Sequence, residues 1–243
     1  MGAVIGIFSA KGGVGKTLLA TNLAVACSLG HQVRTALIDL SPGTGTADLL
    51  LDLEPQRSWA DLQNVIRELT SQHLLLAVTP YRPGLDLLAS PPEIIWDHPL
   101  SRTDLACLLE AFQKEYELVV VDVSSGVTDL ELSALELVDQ RLVLLTPDAP
   151  ALQATTRYLK CISEDCTPTS LVINQQTQGA AVLPSEIKNH LGKSLIGVLP
   201  IDPQGVWGNV GYGKPCTLCK TSKLGSAIHK LSERLLKMIG LRS

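Results

Sequence analysis

The chain has 243 residues, 45% hydrophobic and 4% aromatic, and a net charge of −4. That composition excludes a disordered or fibrous chain, and six cysteines at this length are too sparse for a disulfide scaffold, which points to a reducing, cytoplasmic compartment. No apolar run approaches the roughly 20 residues that a membrane span needs. No linker, repeat or low-complexity block interrupts the sequence, so one domain over residues 1–243 is expected, with a core of Val, Ile, Leu and Ala.

The first run, Ala3–Phe8, predicts a strand, and Thr17–Leu29 predicts a helix. Between them lies Ser9-Ala10-Lys11-Gly12-Gly13-Val14-Gly15-Lys16-Thr17. A glycine-rich loop between a strand and a helix is the context of a phosphate-binding loop. Gly12, Gly13 and Gly15 allow backbone N–H groups to turn inward, and the helix N-terminus at Thr17 and Leu18 adds unpaired N–H groups. Lys16 is placed to reach β- and γ-phosphates, and the Thr17 hydroxyl to hold Mg²⁺. The ordinary pattern has Gly six residues before the lysine. Here that place is Ala10, and a second lysine, Lys11, follows it.

Further strands are predicted at Val33–Asp39, Leu74–Thr79, Leu118–Val123, Arg141–Thr146, Ser170–Asn174 and Leu195–Leu199. Helices are predicted at Ser58–Leu69, Arg102–Glu115, Leu130–Val138, Ala151–Ser163, Pro184–Leu191 and Lys223–Ile239. Continuous apolar runs such as Leu118–Val121 belong to strands buried on both faces. Alternating β and α then predict an α/β fold, a doubly wound and mostly parallel sheet with helices on both faces. Ligands in such sheets sit beyond the carboxyl ends of the strands. Asp39 and Asp122 each end a buried run there, and a carboxylate placed as Asp122 is suits Mg²⁺ beside a phosphate-binding loop.

The two-lysine loop resembles the deviant Walker A family of ATPases, which includes ParA, MinD and the nitrogenase iron protein. The resemblance implies that Lys11 crosses a dimer interface to touch the partner's nucleotide, and that ATP with Mg²⁺ joins two subunits. It implies that Asp122 and Thr17 serve the metal, and that Gly126, in Asp122-Val123-Ser124-Ser125-Gly126, senses the γ-phosphate. Asn174, and the Pro200-Ile201-Asp202 segment through Pro200 and Asp202, take the adenine side in the same comparison. The family's first switch segment carries two acids spaced Asp-x-Asp. Here Asp39 is the first, assisting Mg²⁺, and Ser41 stands where the second would orient the attacking water. Slow ATP hydrolysis is therefore expected, or a module that binds ATP without turning it over.

Leu51-Asp52-Leu53-Glu54-Pro55, Ser58-Trp59-Ala60-Asp61-Leu62, Thr146-Pro147-Asp148-Ala149-Pro150 and Gly211-Tyr212-Gly213-Lys214-Pro215 look like the CpaE/TadZ group. That group marks a pole or surface site for pilus or secretion-machine assembly. MinD-like septum placement is the near alternative. Either implies a protein peripheral to the inner face of the membrane or the pole.

Two features remain open. Cys216-Thr217-Leu218-Cys219 has the spacing of a metal or redox pair, and an iron–sulfur carrier is the rival it raises, although relatives place such a pair elsewhere and no second pair is near. Residues 214–243 hold seven Lys/Arg and one acid, a balance of +6 against −10 for the rest. Leu224, Ala227, Ile228, Leu231, Leu235 and Met238 form one stripe there. Packing on the sheet is the favoured expectation, ahead of an anionic lipid surface and, less favoured, DNA.

Overall fold

The computed structural model describes residues 1–93, 100–124, 126, 128–162, 167–210 and 213–241. Ser125, Ser163, Gly211 and Tyr212, named above, lie outside the described residues, as does Arg242 of the basic C-terminal stretch. Eight strands form one sheet: β1 (Ala3–Phe8), β2 (Thr35–Leu40), β3 (Thr79–Arg82), β4 (Leu85–Leu88), β5 (Leu118–Val123), β6 (Gln140–Leu145), β7 (Thr169–Gln176) and β8 (Ser194–Pro200). Their order across the sheet is β3-β4-β2-β5-β1-β6-β7-β8. Every pairing is parallel except that of β3 with β4.

The helices are α1 (Lys16–Val25), α2 (Ala47–Leu51), α3 (Ser71–Ala77), α4 (Arg102–Glu115), α5 (Asp129–Leu137), α6 (Ala149–Cys161), α7 (Pro184–Leu191), α8 (Pro203–Val210) and α9 (Lys223–Met238). Strand side chains alternate between the faces of the sheet. Ile5, Ile7, Leu37, Val120 and Val172 pack with α1 and α9, whereas Val4, Phe8, Ile38, Val119 and Val121 pack with α4, α5 and α6. The same alternation decides the site. Asp39, Asp122 and Asn174 continue the first series and so emerge on the face that α1 covers.

The sequence reading fails at one strand. Leu74–Thr79 is not extended: Leu74-Leu75-Leu76-Ala77 belongs to α3, and the strand begins only at Thr79. Thr70 caps that helix, accepting from His73 N–H, and Leu74 and Ala77 point inward while Leu75 and Leu76 stay exposed. Burial at i and i+3 is the helical period, which a short leucine run conceals. Apart from Thr79, the hairpin β3–β4 lay outside the predicted elements, as did α2 and α8. Ser58–Leu69 is helical but 3₁₀, over Trp59–Glu68, started by reciprocal bonds between Ser58 and Asp61. Helix α1 runs on into a π turn, Ala26–Gly30.

Helix α9 buries Leu224, Ile228, Leu231, Leu235 and Leu236 against β8 and α1. From Leu224 to Leu235 its apolar stripe packs on the core, as favoured above, but Met238 at its end is exposed, and Lys223, Lys230, Arg234 and Lys237 face outward. No helix among the described residues is long and apolar enough to cross a membrane.

Candidate functional site

The loop after β1 is held by its own side chains. Ser9 donates through Oγ to the Lys11 carbonyl at 2.7 Å, and Lys16 donates through Nζ to Ser9 Oγ at 3.0 Å. Lys16 is buried; that burial lowers its proton affinity, against the pull of Asp122 and Glu131. Gly12 and Gly13 are exposed at the rim. Gly15 has φ of 94°, and a Cβ there would lie 2.7 Å from Asn174 Nδ2, so only glycine fits. Asn174 donates from the same nitrogen to the Val14 carbonyl at 2.8 Å, so the end of β7 braces the loop directly. Leu18 lies in the first turn of α1, and its carbonyl accepts from Asn22 Nδ2 at 2.9 Å.

Asp39 and Asp122 are register partners on the adjacent strands β2 and β5. Asp39 accepts from Ser41 N–H at 3.0 Å and, through the other oxygen, from Ala47 N–H at 3.3 Å. Burial pushes Asp39 up to about 6, against those hydrogen bonds. Gly45 is required beside it, because a Cβ would come within 2.7 Å of Asp39 Oδ2. Asp122 is buried, and among the described residues neither of its oxygens has a partner at hydrogen-bond geometry, the Thr17 hydroxyl being the nearest donor. Burial and then Asp39 push it up to about 7, against Thr17 and Lys16 nearby. Two neighbouring buried carboxylates, one wholly unsatisfied, suit a divalent cation, which supplies the missing positive charge. A cleft of about 370 Å³ adjoins Asp39, lined also by Gly43, Gly45, Asp48, Arg57 and Ser90.

The other predicted positions divide. Lys11 is exposed and lies 4.0 Å from Asp148 at the start of α6. Gly126 is exposed with φ of 122°, and its carbonyl accepts from Thr128 N–H. Pro200 ends β8. The Asp202 carboxylate is occupied in capping: it accepts from Gly205 N–H at 3.0 Å, Ser222 Oγ at 2.7 Å and Leu224 N–H at 3.1 Å. Burial works against its charge, but those donors hold it below the usual carboxylate range. The Cys216–Cys219 pair does not face outward together. Cys216 is buried, donates to Asn22 Oδ1 at 3.1 Å, and is pushed up to about 11 chiefly by burial, whereas Cys219 is half-exposed beside Thr221.

Sequence reasoning passed over Ser9, Asn22, Asp148, Glu131 and Tyr158. Asn22 joins α1 to the turn before α9, accepting also from Thr217 N–H and Oγ. Only the strand-end position of Ser9 was a signal; the others are brought to their partners by tertiary packing.

A glycine-rich loop closed by a buried lysine, beside two strand-end carboxylates at the carboxyl edge of a parallel sheet, defines a P-loop nucleotide-binding protein. A family model described as "ParA: NUBPL iron-transfer P-loop NTPase" matches residues 1–236, and the chain belongs to that family. It is 24% identical over 243 residues to the septum site-determining protein MinD of Bacillus subtilis (strain 168), covering 97% of this chain and 90% of that protein. Among solved structures it resembles a ParA family ATPase from Chlorobium tepidum TLS, with a TM-score of 0.88, 22% identity, and 96% and 98% of the two chains covered. It also resembles MinD from Pyrococcus horikoshii OT3, solved with Mg-ADP, with a TM-score of 0.84, 20% identity, and 100% and 99% covered. These two likenesses establish the fold.

Proposed function

We propose that the protein is an ATP- and Mg²⁺-dependent switch: ATP joins two copies, slow hydrolysis releases them, and the joined state recruits a partner to a membrane surface or cell pole. The observation that carries this is the unsatisfied Asp122 carboxylate beside Asp39, Thr17 and Lys16. In this reading Gly12, Gly13, Val14, Gly15, Lys16, Thr17 and Leu18 surround the phosphates, while Thr17, Asp39 and Asp122 hold Mg²⁺. The metal would neutralise charge on the β- and γ-phosphates. Asn174 and the Pro200–Asp202 segment border the adenine side, and Gly126 the γ-phosphate.

Full-length similarity to MinD proteins supports septum placement as the biological setting. The four segments that look like CpaE/TadZ support pilus or secretion placement, and the switch is the same in both. Because the apolar face of α9 is core, contact with an anionic surface would use the charges of Lys223, Lys230 and Lys237 rather than insertion. The exposed Lys11 near Asp148 supports its role across the dimer: an exposed pair of this length contributes little and is easily exchanged for a phosphate. Lys11→Ala should keep ATP binding and lose ATP-dependent dimerisation. Light scattering with and without Mg-ATP measures this, and a mutant that dimerises as wild type does would sink the proposal.

A further inference from the structure

The two edges of the sheet are guarded differently. Edge strand β3 has four residues, runs antiparallel to its neighbour and carries Pro80. Short length and proline blunt an edge against further pairing. Edge strand β8 has seven residues, pairs with β7 alone among the described residues, and holds no charge and no proline before Pro200. Its cover comes from α9. Gly197 faces that helix: a Cβ there would lie 3.1 Å from Leu231 Cδ1, so the helix lies close on the strand. Ile196 is the residue that the register with β7 skips, and its carbonyl accepts instead from Arg234 Nη1 at 3.1 Å. A groove of about 520 Å³ runs between the strand edge and the helix, lined by residues 195–198 and by Lys223, Ala227, Lys230, Leu231 and Arg234. The three cations are exposed, and no acid among the described residues lines the groove. Of the acids on the flanking segments, Glu233 pairs with Lys237 at 3.5 Å and Asp202 is held by its capping donors. Val198 alternates with Gly197, so it points to the face away from α9, where it is 40% exposed.

We propose that the groove between β8 and α9 docks an extended polypeptide segment as an added strand, one in which acidic and apolar residues alternate. A backbone N–H of the segment takes the place of Arg234 on the Ile196 carbonyl, and the freed guanidinium pairs with a carboxylate. One hydrogen bond is exchanged for another and an ion pair is gained. The period of two along a strand sends one set of its side chains toward α9, where Lys223, Lys230 and Arg234 receive carboxylates, and the other toward Val198, where apolar groups are covered. A second copy of this chain is a poor occupant, because two such edges would bring like charges together. A flat anionic surface meets the same cations, but it cannot enter the groove or pair with the strand edge. The inference goes beyond the proposed function by giving the recruited partner a chemistry, and it involves no nucleotide.

The test titrates the full chain, without nucleotide, into a labelled synthetic peptide of alternating glutamate and valine. Fluorescence anisotropy reads the affinity, and amide hydrogen exchange reads the strand. Wild type should bind with a dissociation constant at or below about 1 mM, bind less tightly as salt is added, and exchange its β8 amides more slowly in the complex. Lys230→Glu changes an exposed side chain and should weaken binding roughly tenfold, because it turns an attraction into a repulsion. A lysine–valine peptide should not bind. Absence of binding by wild type overturns the inference. So does equal binding of the lysine–valine peptide, an affinity that Lys230→Glu leaves unchanged, or β8 exchange that the peptide does not slow. If phosphatidylserine vesicles bind wild type and not Lys230→Glu while the peptide binds neither, these cations serve a lipid surface and the inference falls. Failure to bind ATP or to dimerise with it would sink the proposed function and leave this result as it stands.

Discussion

Asp122 and Asp202 both stand at or just beyond the carboxyl ends of parallel strands, β5 and β8, yet their surroundings are opposite. Asp202 is met by three donors from the starts of α8 and α9, and its charged form is favoured. Asp122 is more deeply buried, no helix-capping donor among the described residues satisfies it, and its charged form is disfavoured, with only Thr17 and Lys16 nearby opposing that. The β8 end closes on itself with hydrogen bonds supplied by the chain. The β1–β2–β5 end is left with electrostatic needs that a cation and phosphates would satisfy. The same strand-end position thus serves structure in one place and, in the proposed function, ligand in the other. Which it serves depends on whether a helix N-terminus is aimed at the carboxylate.

The largest expected effects separate these two ends. Lys16→Ala removes the charge nearest the phosphates and should weaken ATP binding by about 10²-fold or more. Asp202→Ala should act on stability instead. It strips caps from α8 and α9 and should cost about 2–3 kcal/mol of stability while leaving ATP affinity near wild type. Nucleotide titration and chemical denaturation of both proteins decide the matter. A large affinity loss in Asp202→Ala would mean that the β8 end also meets the nucleotide, and the contrast between the two ends would fail.

A smaller effect is expected at Ser41. Its N–H donates to Asp39, and the residue is buried against that carboxylate. Ser41→Asp supplies the acid that the family places there, so turnover should rise, by up to about 10²-fold, if the segment can turn toward the γ-phosphate. The added charge beside Asp39 should also lower the stability of the metal-free protein, as like charges at close range disfavour ionisation. Phosphate release at saturating Mg-ATP, with Lys16→Ala as blank, measures the first effect. Robust wild-type turnover that Ser41→Asp leaves unchanged would show that another residue positions the water.

Much of this was legible in the sequence because the informative residues are local. The loop from Ser9 to Thr17 carries its own strand and helix, and the runs before Asp39 and Asp122 announce buried strands that end in a carboxylate. Alternation along those strands even fixes the face on which both acids emerge. What was not legible depends on contacts across the chain. Leu74–Ala77 is equally apolar as strand or helix, and only burial of Leu74 and Ala77 with exposure of Leu75 and Leu76 decides it. Asp202 reads alike as an adenine neighbour or a helix cap until Ser222 and Leu224 are brought to it. Glu131 and Tyr158 are 27 residues apart, and nothing in either local pattern announces their bond.

The smallest effect tests the unsatisfied end as a whole. Asp39, Asp122 and Glu131 are raised to about 6, about 7 and about 7, chiefly by burial, from ordinary values of 3.8 for the aspartates and 4.5 for the glutamate. Between those limits the folded protein holds protons that the unfolded chain has released. The stability they contribute is complete below about pH 4 and is lost as pH rises through 6 to 7. Glu131 alone, with a rise of this size, represents a loss of about 3 kcal/mol across that window. Metal-free protein should therefore melt several degrees higher at pH 5 than at pH 8. Asp122→Asn removes one of the ionisations and should flatten the curve and raise the melting temperature at pH 8. Asp202, whose proton affinity is lowered, acts only at lower pH and leaves this window untouched. Calorimetric melts of wild type, Asp122→Asn and Asp202→Ala across pH 5–8 read the slopes. A wild-type slope that rises with pH would mean that the carboxylates beneath the loop are already satisfied without a ligand, and the two ends of the sheet would no longer differ.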